Sequence, residues 1–398
     1  MKWWIKLIIV VTVLAVIVVF VLSMMMGMSK EYELKVSIDG EVREYAISRS
    51  IGAYMANKWR YSGSLVDEYT HHIADGLLPH DALIHMSPDF ATVLEDIEAG
   101  ERKKVESKVL FNTKSDTLFD YSLGTDGRKM SAGVYESLLW AIDEHGVANE
   151  LYVYDRAKSI DELKTGTKLL ARFTTEYATS GENRRENIRV ATAYIDGTIV
   201  EPNEVFSFNK TVGARTPERG FREANVIVAG EYVKGYGGGV CQVSTTLYNA
   251  WVLAGGGVEY ATSHSLPPHY IDMSRDAMVA STNDMLLQNN GTTPLYVRAY
   301  CGIDDVTFEI YGLETTLRYD ILSEVIGTID IETKIVGDVD AVEYIDTVID
   351  EGREGYNTRA YLITYSRDGV EIDRHILRYD TYMSQPKIVE RRARTNTN

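Results

Sequence analysis

The sequence predicts an α+β multidomain protein with an N-terminal transmembrane helix, a small α+β domain, a mixed α/β domain and a C-terminal all-β module. An uncharged apolar run, Leu7–Met26, opens the chain. Segments with helical and strand periodicity follow to about residue 313, and nearly pure alternation of apolar and polar residues follows from about residue 315. The predicted boundaries are 1–30, 31–155, 165–313 and 315–398.

The first 30 residues are expected to form a short cytoplasmic N-terminus and a membrane anchor. A helix of about 20 uncharged residues is long enough to cross a bilayer. Lys2 and Lys6 precede the run, and the positive-inside rule therefore places the N-terminus in the cytoplasm. The run lacks the small-residue cleavage site of a secretory signal peptide, although a cleaved signal peptide is the alternative. We therefore expect a single-pass protein of the cell membrane with its catalytic part extracellular.

The overall composition excludes some partners. The chain has 398 residues and a formal net charge of −17. This charge argues against nucleic acid as a partner, because contacts to phosphate require clustered Lys and Arg. Cys241 and Cys301 are the only cysteines, which is too few for a disulfide-dense secreted scaffold.

Residues 31–155 combine a hairpin, helices and short strands. The stretch "EYELKVSIDGEVREYAI" alternates apolar and polar residues around Asp39-Gly40, a pattern typical of a β-hairpin. Helical spacing follows, and a second helix comes after Gly127 and Met130. With its aromatic-bearing and terminal strands, this pattern resembles the peptidoglycan-binding domain found repeatedly in Gram-positive wall proteins.

The stretch "GYGGGVCQVSTTLYNAW" carries the most specific chemistry of residues 165–313. Apolar residues at helical spacing predict a helix beginning near Cys241: Val243, Leu247, Ala250, Trp251 and Ala254. The free N–H groups and dipole of a helix N-terminus favour an anion, which predicts a lowered pKa for the Cys241 thiol. The glycines allow positive φ and close approach of a substrate. The N–H groups of Gly238, Gly239 and Gln242 could bind a developing oxyanion.

A cysteine nucleophile also needs a base. The histidines downstream in the same domain are His264 and His269, within "SHSLPPHY", and spacing alone leaves open whether either one contacts Cys241. A disulfide between Cys241 and Cys301 is the main alternative. The glycine stretch lacks the lysine of a nucleotide phosphate-binding loop, and one cysteine with two histidines is a poor zinc site. We therefore expect no metal and no cofactor.

Three stretches, "NIRVATAYIDGTIVEPNEVFSFN", "GGGVCQVSTTLYNA" and "SHSLPPHY…SRDAMVA", together resemble the signature of the VanW family over about residues 165–313. The resemblance implies a cell-wall L,D-transpeptidase that acts on peptidoglycan stem peptides, with Cys241 as the nucleophile and His264 as its base. An amine that resolves the acyl-enzyme would give a 3–3 cross-link, and water would make the protein an L,D-carboxypeptidase. His269 stands where the family more often has a small residue, which leaves the choice of base open.

The supporting residues follow from their chemical roles. Gln242 could donate to the oxyanion, and Ser265 or Asp276 could orient the imidazole. Arg275 could bind a substrate carboxylate, with a local ion pair between Arg275 and Asp276 as the alternative.

Residues 315–398 are predicted to form a small all-β module with a hairpin turn at Asp368-Gly369. The module resembles the extracellular G-five module of wall-associated proteins, and Gly352 and Gly355 match its glycine-bearing loop. Its polar faces suit a spacer or a carbohydrate-contacting stalk. The alternative to the enzyme is a non-catalytic peptidoglycan-binding or scaffolding surface protein in which Cys241 is structural.

Overall fold

The computed structural model describes residues 3–26, 28–228, 231–340 and 342–393. The chain divides into two compact units, the first made of residues 1–108 and 123–158 and the second of residues 109–122 and 159–398. Both units mix helices and strands, which confirms the α+β class. The second unit holds the predicted 165–313 and 315–398 segments together.

The helices are as follows, and a 3-10 turn lies at Pro217–Arg219: α1 (Trp3–Met26), α2 (Ile51–Arg60), α3 (Leu65–Ala74), α4 (Pro79–Met86), α5 (Phe90–Glu98), α6 (Val134–Asp143), α7 (Ile160–Thr165), α8 (Glu182–Ile195), α9 (Phe208–Val212) and α10 (Val240–Leu253). The strands are β1 (Ser29–Ile38), β2 (Glu41–Ser50), β3 (Lys108–Phe111), β4 (Phe119–Ser122), β5 (Gly127–Met130), β6 (Val147–Ala148), β7 (Tyr152–Asp155), β8 (Lys168–Glu176), β9 (Thr198–Val200), β10 (Val205–Ser207), β11 (Glu223–Val228), β12 (Glu231–Tyr236), β13 (Gly257–Tyr260), β14 (Leu286–Gln288), β15 (Leu295–Cys301), β16 (Asp305–Gly312), β17 (Arg318–Ile329), β18 (Thr333–Gly337), β19 (Tyr344–Asp350), β20 (Gly355–Tyr365), β21 (Glu371–Tyr382) and β22 (Lys387–Ala393).

In the first unit, the predicted hairpin is confirmed as β1 and β2, which pair antiparallel. Asp39 and Gly40 at its turn have φ values of 55° and 83°, the positive angles that a two-residue hairpin turn requires. Strand β6 adds to the free edge of β1 in parallel, giving the order β2-β1-β6. Leu34 and Val36 of β1 are fully buried in one core with Leu138 of α6, and this burial anchors the sheet to the helices.

The predicted membrane anchor at Leu7–Met26 is not supported by the structure. Across the residues that it describes, no helix combines the length and the apolarity needed to cross a membrane.

The second unit is built around helix α10 and the antiparallel sheet β8-β16-β15-β9. The apolar residues predicted to line one side of α10 lie in the core, where Leu247 and Trp251 join Phe308 and Ile310 of β16. The prediction of one buried apolar side describes the burial of α10 only in part, because the polar side of the helix is buried as well.

Hydrogen bonds compensate the burial of that polar side. Thr246 shares a hydrogen bond of 2.8 Å with Thr175 of β8. The Ser244 hydroxyl donates to the Ala277 carbonyl at 2.6 Å, and the Ala277 N–H donates to Thr245 Oγ1 at 3.0 Å. Each of these three buried hydroxyls of α10 therefore has a partner, as burial demands, and the segment around residue 277 is held against α10.

The C-terminal residues form two three-stranded sheets, β17-β20-β21 and β18-β22-β19. The predicted hairpin at Asp368-Gly369 is confirmed, since it connects β20 to β21 and Gly369 has a φ of 79°. Ile321 of β17 and Ala360 of β20 belong to the same buried core as α10. The first of these sheets therefore packs directly on the α10 region.

Candidate active site

The glycines before Cys241 set the entry into α10. Gly237 and Gly239 have φ values of 87° and 106°, which side chains with a Cβ rarely adopt. A Cβ on Gly238 would lie 2.5 Å from the Asn225 carbonyl oxygen, and one on Gly239 would lie 3.0 Å from Ile188 Cγ1. All three glycines are therefore required by conformation or by space, and they place Cys241 as the second residue of the helix.

Cys241, His264 and Asp276 are brought together at this point. The thiol of the partly exposed residue Cys241 donates to the Val279 carbonyl at 3.3 Å, and its side chain lies close enough to His264 for each group to shift the other's pKa. His264 Nδ1 lies 2.6 Å from Asp276 Oδ2, and the His264 backbone N–H donates to the same oxygen at 2.7 Å. Since Asp276 occupies Nδ1, the Nε2 nitrogen of His264 is the one left for the thiol.

These contacts favour a charged pair. Burial raises the pKa of the Cys241 thiol, but the hydrogen bond and charge of His264, the Val279 N–H and the charge of Arg215 outweigh it, and the net pKa is lowered. Burial lowers the pKa of His264, but its bonds to Asp276 and Cys241 dominate and raise the pKa to about 10. Both shifts favour the thiolate and the imidazolium, the charged pair on which a reactive cysteine depends.

Asp276 is held by the C-terminal sheet. The Tyr382 hydroxyl, at the end of β21, donates to Asp276 Oδ1 at 2.5 Å and accepts from the Ser274 N–H at 2.6 Å. Arg378 of the same strand donates to the Asp276 carbonyl at 2.8 Å and pairs with both carboxylate oxygens of Asp380. Burial raises the pKa of Asp276, yet the bonds from His264 and Tyr382 outweigh it and leave the pKa lowered.

The amide groups at the start of α10 divide into two pairs. A helix N-terminus leaves its first four N–H groups without an intrahelical acceptor. Those of Val240 and Gln242 donate to the Gly237 and Gly239 carbonyls, each at 3.0 Å. The other two N–H groups belong to Cys241 itself and to Gly239, two residues before it.

The predicted oxyanion role of Gln242 is not supported. Its backbone N–H is engaged with Gly239, and its Nε2 group donates to Thr175 Oγ1 at 3.0 Å and to the Glu176 carbonyl at 2.9 Å. Gln242 therefore ties α10 to β8, with its own donors already used.

Arg275 lies apart from the thiol. Its Nε donates to Asn249 Oδ1 at 2.9 Å, and its guanidinium stacks over Phe173, 5.2 Å from the ring centroid. Asp276 is bound instead to His264 and Tyr382, so the alternative ion pair between Arg275 and Asp276 does not form among the described residues. Of the two residues expected to orient His264, the structure selects Asp276.

Ser265 and His269 face outward. The side chain of Ser265 is exposed, and its carbonyl accepts from the Met383 N–H at 2.8 Å. His269 is also exposed, and its ring contacts that of Tyr270 at 5.7 Å between centroids. Of the two candidate bases, His264 is therefore the one placed against Cys241.

The two thiols are separate and free. Cys301, at the end of β15, lies 3.7 Å from Thr192 Oγ1, and burial raises the pKa of its thiol. The alternative disulfide between Cys241 and Cys301 is therefore not formed. Over the described ranges, no three His, Cys, Asp or Glu side chains are grouped as metal ligands would be.

Four residues of the site escape sequence reasoning. Tyr382 and Arg378 come from the C-terminal sheet, and no local pattern links them to the cysteine. Arg215 lies in the loop after α9, where its charge acts on the Cys241 thiol. Burial and the charge of Cys241 raise the pKa of Tyr270, which keeps its phenol neutral.

Comparison with known proteins gives a family match. The family model described as VanW like protein matches residues 183–311, which include all three residues of the arrangement. A curated relative, the uncharacterized protein YoaR of Bacillus subtilis (strain 168), is 38% identical over 151 residues. The match covers 38% of this chain and 50% of the relative, so this chain spans half the length of that relative.

Two solved structures match a small part of the chain. The IgA1 protease G5 domain structure is 25% identical, with 21% of this chain and 100% of that chain covered and a TM-score of 0.15. The crystal structure of HP0197-G5 is 19% identical, with 19% of this chain and 93% of that chain covered and a TM-score of 0.14. Both are G5 domains by their titles, and at these TM-scores the likeness carries no further argument.

Proposed function

Residues 183–311 form a VanW-like domain, and on this premise we propose that the protein is a cysteine-dependent L,D-transpeptidase that forms 3–3 cross-links in peptidoglycan. The observation that carries the proposal is the convergence of Cys241, His264 and Asp276: His264 Nδ1 lies 2.6 Å from Asp276 Oδ2, and the Cys241 and His264 side chains are close enough to shift each other's pKa. A nucleophile, a base and a carboxylate that orients the base form the set that acyl transfer uses on unrelated folds.

The first half-reaction uses the charged pair. The Cys241 thiolate attacks the carbonyl carbon of the third stem residue, and a carbon–sulfur bond forms. The N–H groups of Gly239 and Cys241 donate to the oxyanion that develops on the carbonyl oxygen. The His264 imidazolium gives its Nε2 proton to the leaving amine, the carbon–nitrogen bond breaks, and D-Ala departs from a thioester.

The second half-reaction restores the enzyme. An amine on a neighbouring stem attacks the thioester, and neutral His264 takes its proton. The carbon–sulfur bond breaks, which regenerates the thiolate and the imidazolium and leaves an amide cross-link. If water attacks instead, the product is a shortened stem and the protein is an L,D-carboxypeptidase.

The substrates place the proposed reaction outside the cell membrane, where peptidoglycan stem peptides lie. On this proposal, residues 31–155 bind peptidoglycan and residues 315–398 serve as a G-five-like module beside the catalytic domain. The alternative, a scaffolding protein with a structural Cys241, is disfavoured by the two free thiols.

Mass analysis of muropeptides tests the proposal directly. The full chain is incubated with disaccharide tetrapeptides, and we expect dimers whose mass reflects the loss of one D-Ala. Cys241→Ala should give no dimers, whereas Cys301→Ala should retain them. Equal loss in both variants contradicts the proposed nucleophile, and shortened monomers without dimers assign the carboxypeptidase outcome.

A further inference from the structure

Arg215 is a cation beside the nucleophile with hydrogen-bonding capacity to spare. We propose that its guanidinium binds the free α-carboxylate of the residue that leaves when Cys241 is acylated. The inference rests on the proposed function, and it names the substrate class as peptides that end in a carboxylate next to the scissile bond.

The position of Arg215 follows from contacts on both sides of the cysteine. Its Cγ packs against the glycine loop, 2.8 Å from where a Cβ on Gly237 would stand. Its Nη2 donates to Asn209 Oδ1 at 2.6 Å, and the Asn209 amide donates to the Ala280 carbonyl at 2.9 Å. The residue before Ala280 is Val279, which contacts the Cys241 sulfur. Arg215 therefore contacts the glycine loop on one side of Cys241 and is connected through Asn209 to the segment that contacts the sulfur on the other.

In the described part of the chain, the Arg215 guanidinium forms no ion pair with a carboxylate. Its Nε and Nη1 groups donate no hydrogen bond there. Asp284 is the acidic group whose charge reaches it, but the carboxylate oxygens of Asp284 accept from the Ser207 hydroxyl at 2.6 Å and the Asn209 N–H at 2.8 Å. Arg215 is half-buried, and burial lowers its pKa. The charges of Cys241 and Asp284 act on Arg215, but no carboxylate among the described residues contacts it directly. A partly desolvated cation without a directly bound carboxylate is costly, and a ligand carboxylate would compensate that cost.

The chemistry of the substrate fits this place. In a peptide, the carboxyl carbon of the leaving residue lies within about 4 Å of the scissile carbonyl carbon, because adjacent Cα atoms are about 3.8 Å apart. A ligand carboxylate can accept a charge-assisted hydrogen bond from the Nε or the Nη1 group of Arg215. Arg275, which the sequence suggested for this role, has its Nε engaged by Asn249.

Two alkylating reagents of nearly equal size test for an anion site next to the thiol. Iodoacetate carries a carboxylate and iodoacetamide does not, and their rates at Cys241 are compared in the full chain with Cys301→Ala. The rate ratio of iodoacetate to iodoacetamide should fall about 10-fold in Arg215→Gln. Because both reagents attack the same thiolate, any change in the thiol pKa cancels from the ratio.

Arg222→Gln is the matched control, because Arg222 is exposed in the same region of the chain and its substitution removes the same charge. Its ratio should remain that of the parent protein, and Arg215→Lys should give an intermediate ratio, because it keeps the charge without the fork. An unchanged ratio in Arg215→Gln overturns the proposal, as does an equal fall in Arg222→Gln.

Calorimetry with a stem tetrapeptide and its C-terminal amide separates this inference from the proposed reaction. In Cys241→Ala, which cannot be acylated, the acid should bind about 10- to 100-fold more tightly than the amide. Adding Arg215→Gln should abolish the difference. Equal affinities with Arg215 present refute the carboxylate site even if cross-links form. A preference that depends on Arg215 supports the site even if turnover is absent.

Discussion

Tyr382 donates one of the three hydrogen bonds that the Asp276 carboxylate receives, and Tyr382→Phe removes this bond while keeping the ring. The lost bond is the one of 2.5 Å from the hydroxyl to Asp276 Oδ1, and the same substitution leaves the Ser274 N–H without its acceptor at 2.6 Å. A hydrogen bond to a charged group contributes about 1.5–3 kcal/mol, and an orphaned buried N–H costs about 1–3 kcal/mol. Together these contributions lead us to expect the free energy of unfolding to fall by about 2.5–6 kcal/mol.

The same substitution should change the response to acid. The folded-state pKa of Asp276 is lowered, so its contribution to stability is present above the ordinary carboxyl pKa and is lost as pH falls through the folded value. Without the Tyr382 hydroxyl this folded pKa rises, and the acid limbs of stability and of Cys241 alkylation should move to higher pH. Exposed Tyr379 lies on the same strand, and Tyr379→Phe is the control.

Urea unfolding, together with alkylation rates measured across pH, checks both expectations. Tyr382→Phe with an unchanged midpoint and an unchanged acid limb would refute the reasoning, because Asp276 would then not depend on the C-terminal sheet.

Three further predictions concern the base and the glycine loop. His264→Ala should slow alkylation of Cys241 at pH 7 by about 10-fold or more, because it removes the largest effect that opposes the rise of the thiol pKa on burial, while exposed His269→Ala should leave the rate unchanged. Turnover should fall as pH rises through about 10, where His264 loses its proton, and a fall in turnover near neutral pH contradicts this. The raised pKa of His264 stabilises the fold below the ordinary histidine pKa, and this stability should be lost as pH rises from that value through about 10. Gly239→Ala should lower the free energy of unfolding by about 1–3 kcal/mol because of its positive φ, measured against Gly181→Ala, where φ is −67° and no atom lies within 4 Å.

Local signals predicted the start of the site. Three glycines followed by apolar residues at helical spacing fix where α10 begins, and a thiol at a helix N-terminus has its pKa lowered for reasons that need no tertiary information. The position of His264 needed the family resemblance, since spacing alone does not show which histidine approaches a cysteine in space.

The remaining parts depend on contacts that no local pattern carries. Ser244, Thr245 and Thr246 give α10 a polar side that is typical of an exposed helix face. The structure buries this side because β8 and the segment around Ala277 supply the hydrogen bonds. Whether such partners exist is decided by tertiary packing, which overrides the local pattern. Arg215 was missed for the same reason, because an arginine in a loop carries no sign of the thiol beside it.

The residues that hold the Asp276 carboxylate extend beyond the segment that matches the family model. That segment ends at residue 311, whereas Tyr382 and Arg378 lie in β21 and bind Asp276. Ile321 and Ala360 of the same sheet fill the core around α10, so the C-terminal sheet contributes apolar packing as well as hydrogen bonds.

A chain that ends at residue 313 should therefore retain Cys241 and His264 but lose their arrangement. Removal of the sheet exposes buried core residues to water and leaves buried Asp276 with a free oxygen, and both changes are unfavourable. We expect Cys241 alkylation at pH 7 to slow toward the rate of an ordinary thiol, with a matching loss of cooperative unfolding. Cleavage between the two parts, with both fragments kept in solution, is the control, because reassociation would restore the Tyr382 bond. If the shortened chain alone alkylates as fast as the full chain, the C-terminal sheet is not part of the catalytic unit.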